Sequence, residues 1–350
     1  MRVCCFTSLT LAYAARAMVL AETLRQAHPG WTIVAVLVDR PGNGPAPLPG
    51  FDEVVSVNDL DIPGLPGWLF KHDVVEACTA VKGAMMCRLL AGPYDAVIYL
   101  DPDIAVFNPL EEVEAALANA DIVLTPHQTT PNTPTAAIKD NELGSLLYGT
   151  YNLGFIAVRN GPTGKAFAAW WASMLHRACY DEPEAGLFTD QRYIDLVPGL
   201  FDGVRVLRHP GCNVASWNLS TRHVTITADG AILVNGEPLR FFHFTKAGSI
   251  GDLMMDRNAG DNVEAFELLA WYKRRLHHYG QALVPAPWAY GHFTNGVPIP
   301  REARRLFRAR RDLMAYFADP FDAGLHESYY GWLHAEHPGM LADSAAIAAA

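Results

Sequence analysis

The amino-acid sequence predicts an α/β protein built on a mixed, mainly parallel β-sheet that is flanked by helices. Two apolar runs, residues 31–38 and 96–100, each lead directly into an aspartate, and such runs are typical of strands buried on both faces. Segments with apolar residues at helical spacing, residues 13–26 and 73–90, alternate with these runs. Ligands of such sheets bind beyond the carboxyl ends of the strands. The polar residues expected at those ends are the first candidates for a functional site: Thr7, Ser8, Asp39, Asp101 and Asp103.

The other elements follow in chain order. The first strand is expected at residues 2–6, followed by a polar loop. Further strands are expected at residues 54–57, 121–125, 155–158, 204–207, 224–227, 232–234 and 240–244, with helices at 111–118 and 165–179. The turn signal at residues 228–231 predicts a hairpin. After about residue 251 the pattern becomes helical, with helices at 262–279 and 301–317, a proline-rich linker around 284–288 and a flexible tail at 341–350.

The composition excludes several classes of protein. The chain has 350 residues, of which 50% are hydrophobic, and 27 Lys+Arg against 37 Asp+Glu give a net charge of −10. This predicts a globular protein of about two domains. An acidic chain does not attract nucleic acid through its overall field, so no nucleic-acid partner is expected. No apolar run reaches the roughly 18 residues that a membrane-spanning helix needs.

Local features favour a cytoplasmic protein. The six cysteines show no CxxC spacing and lie mostly in apolar stretches. Hydroxyl side chains interrupt the uncharged residues 3–15, which favours a strand, a loop and a helix start over a signal peptide. Residues 301–311 carry six Arg and one Glu. A helix over residues 301–317 is expected either to contact an anionic membrane surface or to dock on the protein with its basic side in water.

The strongest chemical signal is YLDPDIAVF at residues 99–107. Asp101 and Asp103 stand at i and i+2 after an apolar strand, so both carboxylates face one side of the chain and can hold a hard divalent cation, which in turn can bridge a diphosphate. A lone DxD also punctuates strand ends without binding a metal. His243 is the best candidate for a third ligand, because it lies in an apolar strand where an unpaired imidazole is costly. The alternative is a core histidine bonded to a backbone carbonyl.

Six motifs occur in a fixed order along the chain. They are EACTAVK at 76–82, YLDPDIAVF at 99–107, YNLGF at 151–155, FTDQ at 188–191, NVASWNL at 213–219 and FFHF at 241–244. In this order they resemble bacterial glycosyltransferases of the GT-A (Rossmann-like) fold, related to the retaining family 8 enzymes that use nucleotide-diphosphate sugars. The resemblance covers about residues 2–248. It implies a nucleotide-sugar-binding catalytic domain at residues 1–250 and a helical extension at 251–340 that contacts the acceptor or a membrane surface.

The resemblance also implies roles for individual residues. Asp101, Asp103 and His243 match the metal ligands of the family, which implies Mn²⁺ or Mg²⁺ holding the diphosphate of the donor. Asp190 and Gln191 match the pair beside the anomeric carbon. For Asp190, the alternative on residue type alone is a helix cap.

The expected contacts to the nucleotide sugar form a larger set. They are Thr7 and Ser8 at the base and ribose, Asn152 and Gly154 at the donor sugar, Lys82 with Arg88 as its competitor, Lys246 at the phosphates, and Asp39, Tyr99 and Asp101. Lys246 departs from the family pattern, because Thr245-Lys246-Ala247-Gly248 replaces the usual Gly and Lys-Pro-Trp.

Three residues are candidates for the acceptor site. His127 lies in a predicted loop after a strand, where a solvated histidine is an equal alternative. Trp217 and Asn218 offer the aromatic face and amide that carbohydrate sites favour, although a tryptophan is also often simply packed.

The resemblance thus implies a metal-dependent glycosyltransferase, with retention, that uses a UDP-sugar and a glycan or lipid-linked acceptor. It also implies a setting in bacterial surface polysaccharide or lipopolysaccharide synthesis, in the cytoplasm or at the inner face of the membrane. One alternative is a sugar-phosphate nucleotidyltransferase, but residues 7–15 lack the glycines and basic residues that such an enzyme needs after its first strand. Another is a non-catalytic nucleotide-sugar-binding protein, against which the intact Asp101, Asp103, His243 and Asp190 argue.

Overall fold

The computed structural model describes residues 1–40, 48–280, 287–324 and 326–341. Residues 342–350 of the predicted tail and 284–286 of the predicted linker lie outside the described residues. The strands, in chain order, are β1 (Val3–Leu9), β2 (Thr32–Leu37), β3 (Glu53–Ser56), β4 (Ala96–Leu100), β5 (Ile104–Val106), β6 (Ile122–Pro126), β7 (Tyr151–Arg159), β8 (Asp181–Glu182), β9 (Leu187–Phe188), β10 (Val204–Val206), β11 (Val214–Ala215), β12 (Val224–Ile226), β13 (Ile232–Val234), β14 (Glu237–Pro238) and β15 (Phe241–His243).

The helices lie between and after these strands. They are α1 (Ala14–Ala27), α2 (Leu65–Phe70), α3 (Val74–Leu90), α4 (Glu111–Leu117), α5 (Thr135–Ala137), α6 (Leu143–Tyr148), α7 (Pro162–Ala178), α8 (Val197–Leu200), α9 (Ile250–Asn258), α10 (Val263–His278), α11 (Arg301–Ala309), α12 (Arg311–Tyr316) and α13 (Tyr329–Glu336). Helix α3 shows how local sequence sets a boundary. The Asp73 carboxylate accepts the N–H groups of Val75 and Glu76, and the Glu76 side chain accepts the N–H of Asp73, which together form a capping box.

The central sheet confirms the predicted α/β class. In the described residues it has seven strands in the order β3-β2-β1-β4-β7-β6-β10. Neighbouring strands pair in parallel except at β7, which is antiparallel to both β4 and β6. Alternate residues of β1 enter two cores: Cys4 and Phe6 pack on the side of α3 and α7, and Val3 and Cys5 on the side of α1 and α4. Helices therefore cover both faces of the sheet.

A small second sheet positions the candidate site. Strand β15 pairs in parallel with β11 and antiparallel with β5, in a register that sets His243 opposite Ile104. The N–H of Phe244 then donates to the carbonyl of Asp103 at 2.9 Å. This pairing joins two segments about 140 residues apart in the chain.

Strand β1 is longer than the sequence predicts. It continues to Leu9, which pairs with Leu37 of β2, so Thr7 and Ser8 are buried strand residues and not part of a polar loop. The strand tolerates the Ser8 hydroxyl because it donates to the carbonyl of Cys78 at 2.7 Å. A polar residue whose partner lies on another element gives no local strand signal.

The C-terminal residues share a core with the central sheet. The ring of Phe70, at the end of α2, lies 5.1 Å from the rings of Phe307 and Phe321 and 5.3 Å from that of Tyr329, measured between centroids. These residues belong to the same buried cluster as Phe6 of β1. The segment after residue 287 thus completes the apolar core on one face of the sheet.

The predicted helix over residues 301–317 is two helices, α11 and α12. The backbone is extended at Arg310, between them. The arginines of α11 mostly contact the protein. Arg304 is 4% exposed and donates to the carbonyls of Phe70 and His72, while Arg308 pairs with Glu76 and Glu182. The helix is docked: Arg304 and Arg308 are buried against the protein, whereas Arg301 and Arg305 remain nearly half exposed to water. No helix among the described residues is long and apolar enough to cross a membrane.

Candidate active site

Three residues at the ends of three strands form a candidate metal site. Asp101 directly follows β4, Asp103 directly precedes β5, and His243 ends β15. The Nε2 atom of His243 lies 3.0 Å from Oδ1 of Asp103 and 3.6 Å from Oδ2 of Asp101. The side chain of Asp101 is 26% exposed, that of Asp103 10% and that of His243 5%, so the site is open on the Asp101 side. The predicted ligand set is therefore brought together.

Backbone contacts fix this geometry. The N–H of Asp101 donates to the carbonyl of Gly154 on β7 at 2.8 Å, and the N–H of Ile104 closes a turn onto the carbonyl of Asp101 at 3.1 Å. The two aspartates are thus held at the carboxyl end of β4, where ligands of parallel sheets bind. Behind them the Tyr99 hydroxyl donates to Oδ1 of Asp101 at 2.6 Å and lies 3.2 Å from the Ser8 hydroxyl. Tyr99 and Ser8 therefore support a candidate metal ligand from inside the protein.

The charges of His243 and the neighbouring carboxylates affect one another. Burial disfavours the charged imidazole, but the carboxylates of Asp103 and Asp101 outweigh this effect and raise the pKa of His243. Burial likewise opposes the charge of Asp103, yet the neighbouring His243 prevails and lowers the pKa of that carboxyl. The two groups stabilise each other in their charged forms in the absence of another cation.

Lys82 lies between the metal candidates and Asp190. Its Nζ atom is 2.9 Å from Oδ2 of Asp190 and 3.3 Å from Oδ1 of Asp101, and it donates to the carbonyl of Leu153 at 3.0 Å. Burial alone would lower the pKa of Lys82, but Asp101 and Asp190 outweigh it and raise that pKa. For Asp190, burial dominates over the attraction of Lys82 and raises the pKa of the carboxyl. One ammonium group thus bridges the DxD pair and the candidate catalytic carboxylate.

Asp190 faces this cluster and does not cap a helix. The helical turn Arg192–Leu196 follows Gln191 and has no side-chain cap. The Thr189 hydroxyl donates to Oδ1 of Asp190 at 3.1 Å, and the indole N–H of Trp171 donates to the backbone carbonyl of Asp190 at 3.3 Å. These contacts orient the carboxylate towards Lys82.

The donor atoms suit a hard divalent cation. Asp101, Asp103 and Asp190 bring three carboxylates together, and Lys82 compensates one of their charges. With a neutral His243 the cluster has an excess of negative charge that a divalent cation would neutralise. Carboxylate oxygens with one imidazole suit Mn²⁺, and carboxylate oxygens with water suit Mg²⁺. Asp101, Asp103 and His243 are the residues that would hold the ion, and one ligand atom from each lies within 4.8 Å of the other two.

Asn152 connects the metal candidates to the neighbouring loops. Its Oδ1 atom lies 3.2 Å from Nδ1 of His243, and its Nδ2 atom lies 3.2 Å from Nε2 of His127. The His127 Nδ1 atom is 3.3 Å from the carbonyl of Thr150. Burial lowers the pKa of His127 to about 4, so this ring is neutral near pH 7. His127 is therefore a bonded residue of the site wall and not a solvated loop histidine.

Gln191 lies beside Asn152, but its amide is already bonded. Oε1 accepts the N–H of Leu153 at 3.0 Å, and Nε2 donates to the carbonyl of Tyr148 at 2.9 Å. Gly154, two residues after Asn152, is in contact with the His243 ring. A Cβ atom there would lie 2.5 Å from Cε1 of that ring, which leaves no room for a side chain.

Several predicted ligand contacts occupy other positions. Arg88 lies apart from the cluster: it donates to the carbonyl of Asp59 at 2.9 Å, lies 3.6 Å from the Glu53 carboxylate, and lines a separate cleft of about 510 Å³ beside α3 and α7. Of the two basic candidates, Lys82 is the one at the DxD pair. Lys246 is exposed in the turn after β15, with its backbone in the left-handed region at φ 49°, and makes no ion pair with a described residue.

Two further buried polar residues among the predicted ligand contacts differ in their partners. The Asp39 carboxylate accepts the N–H groups of Leu11 at 3.1 Å and Ala289 at 3.0 Å. The Thr7 hydroxyl is buried with no hydrogen-bond partner in the described part of the chain.

The acceptor candidates differ in whether their polar side-chain atoms have hydrogen-bond partners. Asn218 is fully buried, and its amide is used by the N–H of Ala215 and the carbonyls of His127 and Asn213. The Asn218 amide is therefore engaged in shaping the loop, and its contact with an acceptor stays a prediction. Trp217 stands edge-on to His243 at 5.3 Å between ring centroids, and its buried Nε1 atom has no partner among the described residues.

Sequence reasoning missed Asn213 as an individual site residue. Asn213 is fully buried, and its Nδ2 atom donates to Oδ1 of Asn152 at 3.1 Å and to the Thr125 hydroxyl at 3.0 Å. Its backbone is left-handed at φ 56°, a conformation that asparagine tolerates better than most residues. The only sequence signal was its place at the start of the NVASWNL motif.

A second group of potential metal ligands does not form a coherent site. Glu112, His209 and Cys212 lie close together, but Arg240 already donates to Oε1 of Glu112 at 2.6 Å. The His209 Nε2 atom faces Glu112 at 3.6 Å, whereas Nδ1 accepts the N–H of Gly211 at 3.1 Å and lies 3.9 Å from the Cys212 sulfur. The carboxylate and the thiol are therefore on different sides of the ring.

Comparisons with known proteins give partial similarities. No protein-family model matches the chain. Two curated proteins of Bacillus subtilis (strain 168) are similar in sequence, and both are named as uncharacterized. YfnF is 30% identical over 152 residues, which are 43% of this chain and 46% of that protein. YfnD is 26% identical over 199 residues, which are 55% of this chain and 60% of that protein. The chain thus spans about half the length of the curated relatives it matches.

Two similar solved structures are glycosyltransferases. The galactosyltransferase LgtC, in complex with donor and acceptor sugar analogs, has a TM-score of 0.45 and 14% identity, over 77% of this chain and 95% of that chain. The glycosyltransferase GlyE of Streptococcus pneumoniae TIGR4 has a TM-score of 0.45 and 14% identity, over 83% of this chain and 66% of that chain. At this level of similarity the activity of the chain has to be inferred from its own residues.

Proposed function

We propose that the protein is a metal-dependent glycosyltransferase that moves a sugar, with retention, from a nucleotide-diphosphate sugar to a glycan or lipid-linked acceptor. The observation that supports this most directly is the convergence of Asp101, Asp103 and His243 beside the buried Lys82–Asp190 pair. A bound Mn²⁺ or Mg²⁺ supplies Lewis-acid stabilisation of the diphosphate leaving group. Lys82 and Asp190, the other charged groups of the cluster, would stabilise the charges that develop during such a transfer.

Lys82 and Asp190 have complementary tasks in this proposal. The Lys82 ammonium lies next to the DxD pair, so it adds positive charge where negative charge develops on the departing phosphate. Asp190 supplies negative charge beside the anomeric carbon, where an oxocarbenium-like transition state develops positive charge. Both side chains are no more than 3% exposed, and a dry site strengthens these interactions.

Residues around the charged cluster would position the donor and the other ligand. We propose that Asn152 and Gly154 line the donor sugar, that Trp217 offers its unpartnered indole N–H to a ligand, and that Lys246 approaches the phosphates from its exposed turn. A UDP-sugar is the first donor to test. The proposed setting is surface polysaccharide or lipopolysaccharide synthesis at the cytoplasmic side of the membrane, with any peripheral membrane contact through residues 301–317.

The direct test measures release of nucleoside diphosphate. The purified protein is incubated with Mn²⁺ and a panel of UDP-, GDP- and dTDP-sugars, beside the near-isosteric variants Asp101→Asn and Asp103→Asn. The exposed Asp202 provides a matched control, Asp202→Asn, which loses one carboxylate outside the site. We expect metal-dependent release from one donor, abolished by the first two changes and unaffected by the third.

Three other outcomes of this assay would change or overturn the proposed function. Donor binding measured by calorimetry without any release favours a non-catalytic nucleotide-sugar-binding protein. Absence of both binding and release across the panel overturns the proposal. Release that persists in Asp103→Asn assigns the chemistry to a site other than this one.

A further inference from the structure

We infer that Asn152 and Asn213 are positioning residues that set the tautomer and orientation of the His243 ring, and thereby the affinity of the site for a divalent cation. The inference rests on the proposed function. It concerns how the His243 ring is oriented to bind the ion. The amides of Asn152 and Asn213 have this role without having to contact the ion themselves.

The orientation of the Asn152 amide is fixed from both ends. The N–H of Gly154 donates to one amide atom at 3.1 Å, and a backbone N–H can only donate, so this atom is the oxygen. At the other end Nδ2 lies 3.2 Å from Nε2 of His127 and 3.4 Å from the carbonyl oxygen Oε1 of Gln191, which can only accept. Both ends give the same assignment.

This orientation determines which nitrogen of His243 carries a hydrogen. Oδ1 of Asn152 lies 3.2 Å from Nδ1 of His243. An amide oxygen only accepts, so Nδ1 must carry the hydrogen of this bond. When the ring is neutral, the lone pair for a metal is offered by Nε2, the atom that faces Asp103 at 3.0 Å. A second bond that fixes a ligating imidazole in this way is a usual feature of metal sites.

Asn213 holds Asn152 in place from a third direction. Its Nδ2 atom donates to the same Oδ1 atom at 3.1 Å and to the Thr125 hydroxyl at 3.0 Å. The left-handed backbone of Asn213 is secured by Asn218, whose Nδ2 atom donates to the Asn213 carbonyl at 3.0 Å. Asn213, directly before β11, is thereby linked to Thr125 of β6 and, through the Asn152 amide, to the His243 ring.

The test measures metal binding without any sugar donor. Mn²⁺ is titrated into each variant and the free ion is followed by electron paramagnetic resonance. Asn152→Leu keeps the approximate size of the side chain and removes the acceptor, so we expect Mn²⁺ affinity to fall about 10- to 100-fold. Asn152→Asp keeps an acceptor for Nδ1–H and should recover most of the affinity. Asn213→Ala should cause a smaller loss, because Gly154 still orients Asn152.

A second readout reports the tautomer itself. Nitrogen NMR of ¹⁵N-histidine-labelled protein with Mg²⁺ should give Nδ1 of His243 as the protonated nitrogen in the wild type and in Asn152→Asp. The signal should change in Asn152→Leu. If that variant does not fold, judged by thermal unfolding, Asn152→Ala replaces it in both measurements.

The outcomes separate this inference from the proposed function. If Asp103→Asn binds Mn²⁺ as tightly as the wild type, the metal site and the proposed function both fail. If Asp103→Asn loses binding while the Asn152 variants keep wild-type affinity and an unchanged His243 signal, the positioning role is overturned and the proposed function stands.

Discussion

At the scale of single residues, Gly154 shows how tightly the site is built. A Cβ atom at this position would lie 2.5 Å from Cε1 and 2.7 Å from Nδ1 of His243, and 2.8 Å from Oδ1 of Asn152. The glycine is therefore required by close approach of the ring and not by its own backbone angles. Any side chain here would push the candidate metal ligand away from Asp103.

We predict that Gly154→Ala lowers Mn²⁺ affinity by about 10-fold or more, because the His243 ring must move. Overpacking should also lower the free energy of unfolding by about 1–3 kcal/mol. The matched control is Gly144→Ala in α6, where an added Cβ meets nothing within 4 Å. Metal titration and urea unfolding of both variants check this. Wild-type affinity in Gly154→Ala would contradict the ligand assignment of His243.

A second prediction concerns the buried charge pair. Lys82→Met leaves Asp190 buried without its counter-charge, and breaking such a pair typically costs about 3–5 kcal/mol of unfolding free energy. In Lys82→Met/Asp190→Asn the isolated charge is gone, so the double variant should be more stable than Lys82→Met alone. Urea unfolding of the two single variants and the double variant measures this coupling. Additive losses would contradict a direct pair.

At the scale of elements, α11 is attached to the rest of the protein by arginines. Nη1 of Arg304 donates to the carbonyls of Phe70 at 3.1 Å and His72 at 2.8 Å, and its Nη2 donates to the carbonyl of Tyr290. Burial lowers the pKa of Arg304 to about 10, and the group still remains charged at pH 7. The planar fork of the guanidinium satisfies three carbonyls at the end of α2 and beside it.

We predict that Arg304→Lys lowers the free energy of unfolding by about 2 kcal/mol, since an ammonium cannot reach all three carbonyls and charged hydrogen bonds are lost. Arg311→Lys, at an exposed position of α12, should change it by less than about 0.5 kcal/mol. Urea unfolding of both variants is the measurement. Equal stability of the two would mean that α11 is held by its apolar face alone.

At the scale of the whole molecule, a buried histidine couples stability to pH. His28, at the end of α1, stacks on Trp31 at 3.7 Å between ring centroids, and its Nε2 atom accepts the N–H of Leu110 at 2.8 Å. Burial lowers the pKa of His28 to about 4, so the ring is neutral in the folded protein near pH 7. The unfolded chain protonates this ring near its ordinary value of about 6.5.

The sign of the effect follows from this difference. The contribution of His28 to stability is fully present above about pH 6.5 and is lost as the pH falls towards 4, because the unfolded state then binds the extra proton. We predict that unfolding free energy falls by up to about 3 kcal/mol more in the wild type than in His28→Gln over this range. Urea unfolding at several pH values checks the difference, and parallel pH profiles would contradict it.

The sequence was sufficient for features that depend on neighbouring residues. The apolar runs that form β2 and β4 end on Asp39 and Asp101, so the polar edge of the sheet could be predicted from the strand ends alone. The two carboxylates of the DxD pair lie close together, as expected, because both follow one strand. His243 was predictable because an imidazole within FFHF demands a partner in the core.

Features that depend on contacts between distant parts of the chain could not be predicted from the sequence. The pairing of β5 with β15 brings His243 to Asp103, and no local pattern encodes that register. The extension of β1 through Ser8 depends on a carbonyl of α3, and the burial of Arg304 depends on carbonyls from two other segments. Asn213 had no individual signal, since an asparagine in a loop is ordinary until Asn152 is known to lie beside it.

The shared aromatic core has a consequence for how this chain can be divided. Phe70 belongs to the first half of the sequence, while Phe307, Phe321 and Tyr329 around it come from the last. A cut near residue 250, the boundary expected from the motifs, would leave each piece with an unfilled apolar surface. The segment before residue 250 is therefore not a transferable module, and recombination that exchanged the C-terminal segment would have to supply a substitute for those three rings.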